Sequence, residues 1–206
     1  MRVTPSDSSL DAARARLRAE LRARRRALAP AARAHAAQLV ARHIDRKLGL
    51  RAGDRVALYC ALRDELDSAP LFALARRRGW HVYVPRIERA RHGRKMRFVA
   101  AGGRERVNRL GIREPEAARS IGARWLDLVL VPLVGFDARG MRLGMGAGFY
   151  DRAFAYRRWR QAWRGPRLVG VAYAFQQVPQ ILAAAHDVHL DAVVTEKGVI
   201  KCVTGC

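Results

Sequence analysis

The sequence predicts an α/β fold: three layers, α/β/α, with a mostly parallel central sheet and an N-terminal helical pair packed on it. Three observations carry this expectation. Short apolar runs alternate with helical patterns along most of the 206 residues, as in parallel strands joined by crossover helices. One run, residues 127–132, is almost uninterruptedly apolar and suits a central strand covered on both faces. Ahead of the first strand the chain reads as two helices, with Leu17, Leu21 and Leu28 in one narrow stripe at 3.6-residue spacing.

Taken in order, residues 11–28 form the first helix. Pro30 closes it or opens the second, which runs to about residue 48 ahead of Gly49. An apolar strand follows at 56–60, after Gly53 and Asp54. Ser68, Ala69 and Pro70 have the form of an N-cap with proline in the first turn, opening a helix that ends near Gly79. A strand is expected at 81–85, a basic loop at 89–95 and a strand at 96–100. Residues 102–115 read as irregular, 136–148 as a glycine-rich connection, and 149–159 as a return to helix. Strands at 168–173 and 192–195 flank a short helix or turn at 177–182, and 199–200 continues beyond a Gly198 turn. No repeat or low-complexity linker divides the chain, so one domain over residues 1–206 is expected, with 1–10 flexible.

Half the residues are hydrophobic, enough for a packed core. No run reaches the roughly 18–20 apolar residues of a membrane-spanning helix, so no membrane partner is expected. The polar N-terminus lacks the form of a secretory signal; its Arg-rich helix mimics a mitochondrial presequence, but residues inside it belong to the resemblance described below, so the helix is expected to stay on the mature protein. Cys60, Cys202 and Cys206 show neither metal-ligand nor redox spacing, and an odd set of thiols suits a reducing compartment, here the cytoplasm. The net charge of +22 attracts polyanions in general, from nucleic acid to ATP. Only Lys47, Lys95, Lys197 and Lys201 are lysines, and an excess of arginine and alanine also arises from codon bias. Charge alone therefore selects no partner: nucleic acid is not required, although non-specific binding is compatible with it.

The strongest local signal is residues 142–152, which follow the central strand and precede a helix. Gly144, Gly146 and Gly148 allow turns with positive φ, and successive N–H groups make a cradle for phosphate. The spacing is neither a P-loop nor the dinucleotide fingerprint, whose third glycine would fall at Phe149. Glycines alone fit a plain strand-to-helix turn equally well; Arg142, Tyr150, Asp151 and Arg152 favour a site. Asp151 is a candidate ligand for Mg²⁺, although taken in isolation an early-helix carboxylate favoured by the helix dipole is the better reading. Arg14, Arg18 and Arg25 point within about 40° of one another beside the leucine stripe, while Arg16 and Arg26 lie on other faces.

Residues 127–152, DLVLVPLVGFDARGMRLGMGAGFYDR, resemble the signature of the 5-formyltetrahydrofolate cyclo-ligase family, also called methenyltetrahydrofolate synthetase. The likeness extends over most of the chain. It includes Arg14, Leu17-Arg18 and residues 25–28 at the end of an R-R-x-x-L pattern, then Tyr59 with 63–68, and the G-I-x-E-P turn at 111–115. It continues through 170–177 and His186-Asp187 to the closing D-x-V-V-T-E-x-G pattern from Asp191.

This resemblance implies conversion of 5-formyltetrahydrofolate to 5,10-methenyltetrahydrofolate, with ATP as co-substrate and Mg²⁺ as cofactor, by a monomer. It implies ATP-binding roles for Arg14, Arg18, Arg142, Gly144, Gly146, Ala147, Gly148, Phe149 and Tyr150. Glu65 would bind the folate, with Tyr150 at the nucleotide–folate junction, and Asp151 would hold the metal. No residue is marked out for proton transfer. Three departures from the family pattern stand out: Ala147 within the glycine loop, Phe149 for a frequent tyrosine, and the absence of L-P-x-E ahead of His186. The family also often has lysine at the position of Arg14. Two other classes fit parts of the sequence. An arginine-rich RNA-binding protein explains the charge but not the glycine loop, and a sugar-phosphate isomerase or CoA-transferase relative explains the general architecture alone.

Overall fold

The computed structural model describes residues 7–90, 93–102, 105–107, 113–115, 120–158, 165–184 and 186–203. Residues 1–6, Gly111 and Ile112 of the G-I-x-E-P turn, Trp159 and Cys206 lie outside these.

Two helices come first, α1 (Asp7–Ala27) and α2 (Pro30–Lys47). The chain then runs through β1 (Arg55–Ala57), α3 (Ala69–Arg78), β2 (His81–Ala90), β3 (Gly93–Ala100), β4 (Glu105–Val107), β5 (Arg113–Pro115) and β6 (Ser120–Ile121). The central strand β7 (Leu128–Pro132) leads to a small hairpin of β8 (Gly135–Phe136) and β9 (Arg142–Leu143), then α4 (Phe149–Ala153). The strands β10 (Arg167–Val171), β11 (Ala192–Thr195) and β12 (Gly198–Lys201) complete the order.

The main sheet runs β12-β11-β10-β7-β1-β2-β3-β6. Its five inner strands, β11 to β2, are parallel, and antiparallel strands finish both edges. The apolar run at β7 is continuous because both of its faces are buried. Leu128 and Leu130 pack with Val40, Ile44, Leu71 and Leu74 of α2 and α3, while Val129 and Val131 pack with Phe98, Phe154 and Val193 on the other face. The expected three layers and N-terminal helices are present. The leucine stripe of α1 is divided among partners: Leu17 packs with Met141, Leu143 and Ile181, Leu21 is fully buried, and Leu28 joins the α2–α3 core.

Several local expectations change. The basic loop at 89–95 belongs instead to a long β2–β3 hairpin, paired from Tyr83↔Ala100 to Ala90↔Gly93. Its period of two had been masked by arginines: Ile87 opposes Met96 on one face, while Arg86 opposes Arg97 on the other. The stretch 102–115 contains the β4–β5 pair, and the glycine-rich connection contains β8 and β9. The helix expected over 149–159 stops at Ala153 and tightens into a 3₁₀ turn, Ala155–Arg158, where Phe154 enters the core. Residues 177–182 carry no helix; a 3₁₀ turn, Ala174–Gln176, precedes them. Ser68 does sit at the start of α3, but its Oγ accepts from the Ala61 N–H (3.3 Å), and Asp67 takes the Ala69 N–H (2.9 Å).

Candidate active site

The loop after β9 is built on a buried carboxylate. Asp137, with no exposed surface, accepts from the backbone N–H groups of Arg139, Met141 and Ile181 at 3.0 Å each. This fixes the β8–β9 hairpin and delivers residues 144–148 beyond it. Gly146 (φ +99°) and Gly148 (φ +63°) occupy the left-handed region, where a side chain would strain the backbone. Ala147 lies between them, and no described non-glycine residue has a positive φ, so the alanine is accommodated.

Helix α1 closes this loop from above. Arg18 Nε donates to the Gly144 carbonyl (2.9 Å), and burial followed by the nearby Arg14 charge presses the Arg18 pKa down. Arg14 donates to both oxygens of Asp187 (3.0 and 3.4 Å) and to the Leu182 carbonyl (3.3 Å). Arg25, which shares their helical face, does not join them. It is 1 % exposed and donates to Asp64 (2.9 Å) and to the Leu133 carbonyl (3.2 Å), as a pin rather than a ligand group.

Arg142 is also buried. It donates to Asp151 Oδ1 (2.6 Å) and to the Val188 carbonyl, and Asp151 Oδ1 accepts the Val188 N–H as well (3.1 Å). On the far wall, Tyr59 donates its hydroxyl to the Leu66 carbonyl (2.7 Å), holding the 59–66 loop in shape. Glu65 Oε2 accepts the Leu62 N–H (3.0 Å), and burial raises the Glu65 pKa above the ordinary carboxylate value. Burial, then the Glu65 charge, raises the Tyr150 hydroxyl far above its usual range.

These groups face one cavity of about 430 Å³. Every residue to which the resemblance gives a binding role lines it: Arg14, Arg18, Glu65, Arg142, Gly144, Gly146, Ala147, Gly148, Phe149, Tyr150 and Asp151; Arg25 and Arg152, also singled out in the sequence, do not. The cavity also takes in Tyr59, Cys60 and Pro132, at or beyond the carboxyl ends of β1 and β7, where open α/β sheets bind ligands. Pro85, Ile87 and Met96 of the β2–β3 hairpin supply an apolar wall that no sequence signal announced. Asp187 was visible only as half of an H-D pair with no role; the structure sets it on the cavity beside Arg14.

Magnesium takes oxygen donors, which carboxylates supply. No group of three or more His, Cys, Asp or Glu capable of holding a metal occurs among the described residues. Of the four acidic residues that line the cavity, Asp11, Glu65, Asp151 and Asp187, two lie beside the loop and its arginines: Asp151, ion-paired to Arg142, and Asp187, ion-paired to Arg14. One or two carboxylates completed by water and substrate phosphates is the ordinary magnesium arrangement, so the donor set fits. No helix among the described residues is long and apolar enough to cross a membrane.

Fold and cavity together define a class: a mostly parallel α/β protein whose glycine loop and arginines frame a cavity at the strand ends. Comparison narrows it. Residues 11–196 match the model of the 5-formyltetrahydrofolate cyclo-ligase family, and the chain belongs to that family of enzymes. It is similar to the 5-formyltetrahydrofolate cyclo-ligase of Escherichia coli K12, 36 % identical over 143 residues, covering 68 % of this chain and 76 % of that protein. The solution structure of Aquifex aeolicus 5,10-methenyltetrahydrofolate synthetase superposes with a TM-score of 0.78 at 28 % identity, covering 94 % of each chain. The Mycoplasma pneumoniae 5,10-methenyltetrahydrofolate synthetase shares the fold, with a TM-score of 0.69 at 23 % identity, over 89 % of this chain and 98 % of that one.

Proposed function

We propose that this chain converts 5-formyltetrahydrofolate and ATP to 5,10-methenyltetrahydrofolate, ADP and phosphate. One observation carries the reading: the glycine loop, the α1 arginines and Glu65, far apart in sequence, line a single cavity. The formyl oxygen attacks the γ-phosphorus, and the bond to the ADP oxygen breaks. N10 then adds to the activated carbon, the carbon–oxygen bond breaks, and phosphate leaves with that oxygen; the N10 proton passes to solvent.

An amide-like oxygen leaves poorly until it is phosphorylated, and phosphoryl transfer depends mainly on positioning and charge neutralisation. Arg14 and Arg18 sit beside the loop, suited to the phosphates that the backbone N–H groups of 144–148 cradle. Glu65, across the cavity, would accept from the N–H donors of the pterin, and the Ile87–Met96 wall would cover its ring. Asp151 and Asp187 are the residues that would hold magnesium, which when bound neutralises phosphate charge.

The test mixes purified protein with 5-formyltetrahydrofolate, Mg²⁺ and ATP and follows the absorbance of the methenyl product. Product is expected only with ATP. Absence of product at protein levels where the Escherichia coli relative gives it overturns the reading.

A further inference from the structure

The cavity opens at the carboxyl ends of the parallel strands. Their amino ends, about 16 Å away along the five residues of β7, form a second face that the proposed reaction does not use. Helices α2 and α3 both finish at this end, and their last turns bring Arg46 and Lys47, and Arg76, Arg77 and Arg78. Strands β1 and β10 both start there, each with an arginine, Arg55 and Arg167.

Hydrogen bonds join these pieces into one surface. Arg167 Nη2 donates to the Leu48 carbonyl at the end of α2 (2.6 Å), and the Gly53 N–H donates to the carbonyl of Gly79, which closes α3 (2.8 Å). The Asp127 N–H donates to the Arg55 carbonyl (2.9 Å), and the Asp127 carbonyl accepts the Arg167 N–H (3.0 Å). Arg51, between Leu48 and Gly53, and Arg124 and Trp125, just ahead of Asp127, therefore share the face.

Three carboxylates stand among these groups, and each is engaged: Asp45 with Arg78 (2.5 Å), Asp127 with Arg55 (3.4 Å) and Asp54 with the Arg51 N–H (2.8 Å). The two helix C-termini add about half a negative charge each. That offsets a fraction of the positive groups, since Arg46, Lys47, Arg51, Arg76, Arg77 and Arg124 all stand exposed. A compositional excess of arginine accounts for the number of such groups, but not for an indole turned outward among them. Leu126 is buried, while Trp125 beside it is 53 % exposed, with the Arg124 guanidinium 5.4 Å from its ring centroid.

We propose that this amino-end face binds single-stranded RNA, with phosphates on the arginines and a base stacked on Trp125. A phosphate backbone supplies negative charge in a row that spaced guanidiniums can follow. An exposed indole beside a guanidinium is a platform for an unstacked base, which a single strand offers and a duplex does not. An acidic peptide would meet the charge and leave the indole unused.

The experiment measures binding of a short labelled single-stranded RNA by fluorescence anisotropy over a range of salt, with a duplex of equal length and an oligoaspartate peptide for comparison. Trp125→Ala should weaken the single strand about tenfold. Arg51→Ala and Arg77→Ala should each flatten the log–log salt dependence by about 0.7. Arg16→Ala, which removes an exposed charge of α1 outside this face, should change neither quantity. Circular dichroism spectra should match among the variants; if Trp125→Ala alone fails to fold, the arginine variants decide the matter. A single strand held no more tightly than the duplex or the peptide overturns the proposal. So does undiminished binding by a folded Trp125→Ala protein, or a loss in Arg16→Ala as large as that in Arg51→Ala.

Discussion

Two side chains separate the chemistry from the scaffold. Arg18→Ala should remove a guanidinium from the loop without emptying the core, lowering kcat/KM about 10–100-fold in the methenyl assay. Asp151→Asn keeps an oxygen for the Val188 N–H but gives up the negative charge, and should cost about 100-fold, with the greater loss at low magnesium. Full activity in both variants would remove these residues from the site. Glu65 makes an opposite trade. Its folded pKa is raised by burial, so the folded state holds that proton more tightly than the unfolded chain, and stability falls as pH climbs from the unfolded to the folded value. Glu65→Gln should therefore melt higher than the parent at pH 7, with the gain vanishing below about pH 4. It should also raise KM for 5-formyltetrahydrofolate about tenfold. An unchanged melting temperature would show that the carboxylate carries no burial penalty.

At the scale of elements, α1 is fastened by Arg22 and Arg25, which both reach Asp64 Oδ2 at 3.1 and 2.9 Å. Burial pushes the Asp64 pKa up, but the bonds from Arg25 and Arg22 outweigh it and hold it below the ordinary value. A carboxylate with a depressed folded pKa contributes stability above its unfolded pKa of about 3.9 and loses it as pH falls through the folded one. Asp64→Asn should accordingly destabilise the protein by about 3–5 kcal/mol near neutral pH, because Arg25 is left as an uncompensated buried charge. The difference from the parent should shrink in acid, as read from urea melts at several pH values. This fastening also shows where sequence reasoning stopped. Helical geometry correctly grouped Arg14, Arg18 and Arg25 on one face, but a helical wheel gives a direction and not a neighbour. The neighbour of Arg25 is a carboxylate 39 positions away; that of Arg14 is 173 positions away. The α1 stripe, the buried central strand and the glycine loop were legible because each is a local pattern. The β2–β3 hairpin was not, since basic residues interleave with Ile87, Met96 and Phe98 and hide the alternation that the core uses.

For the molecule as a whole, a net charge of +22 sets a self-repulsion that every folded conformation must bear. Salt screens it over a Debye length of about 10 Å at 0.1 M. The melting temperature should rise between about 0.05 and 0.5 M NaCl, while KM for ATP rises because the attraction of the arginines for phosphate is screened too. A melting temperature that falls over this range would mean that exposed ion pairs outweigh the repulsion. The placement of α1 has one more consequence, concerning how the protein comes into being. Helix α1 is made well ahead of the groups its arginines grip: the Gly144 carbonyl and Asp187 follow Arg18 and Arg14 by 126 and 173 residues respectively. Arg22 and Arg25 can find Asp64 early, but Arg18 and Arg14 have no partners until residues 144 and 187 follow. A chain that stops short of residue 187 can therefore fasten α1 to the 59–66 loop and still lack the arginine contacts that frame the cavity.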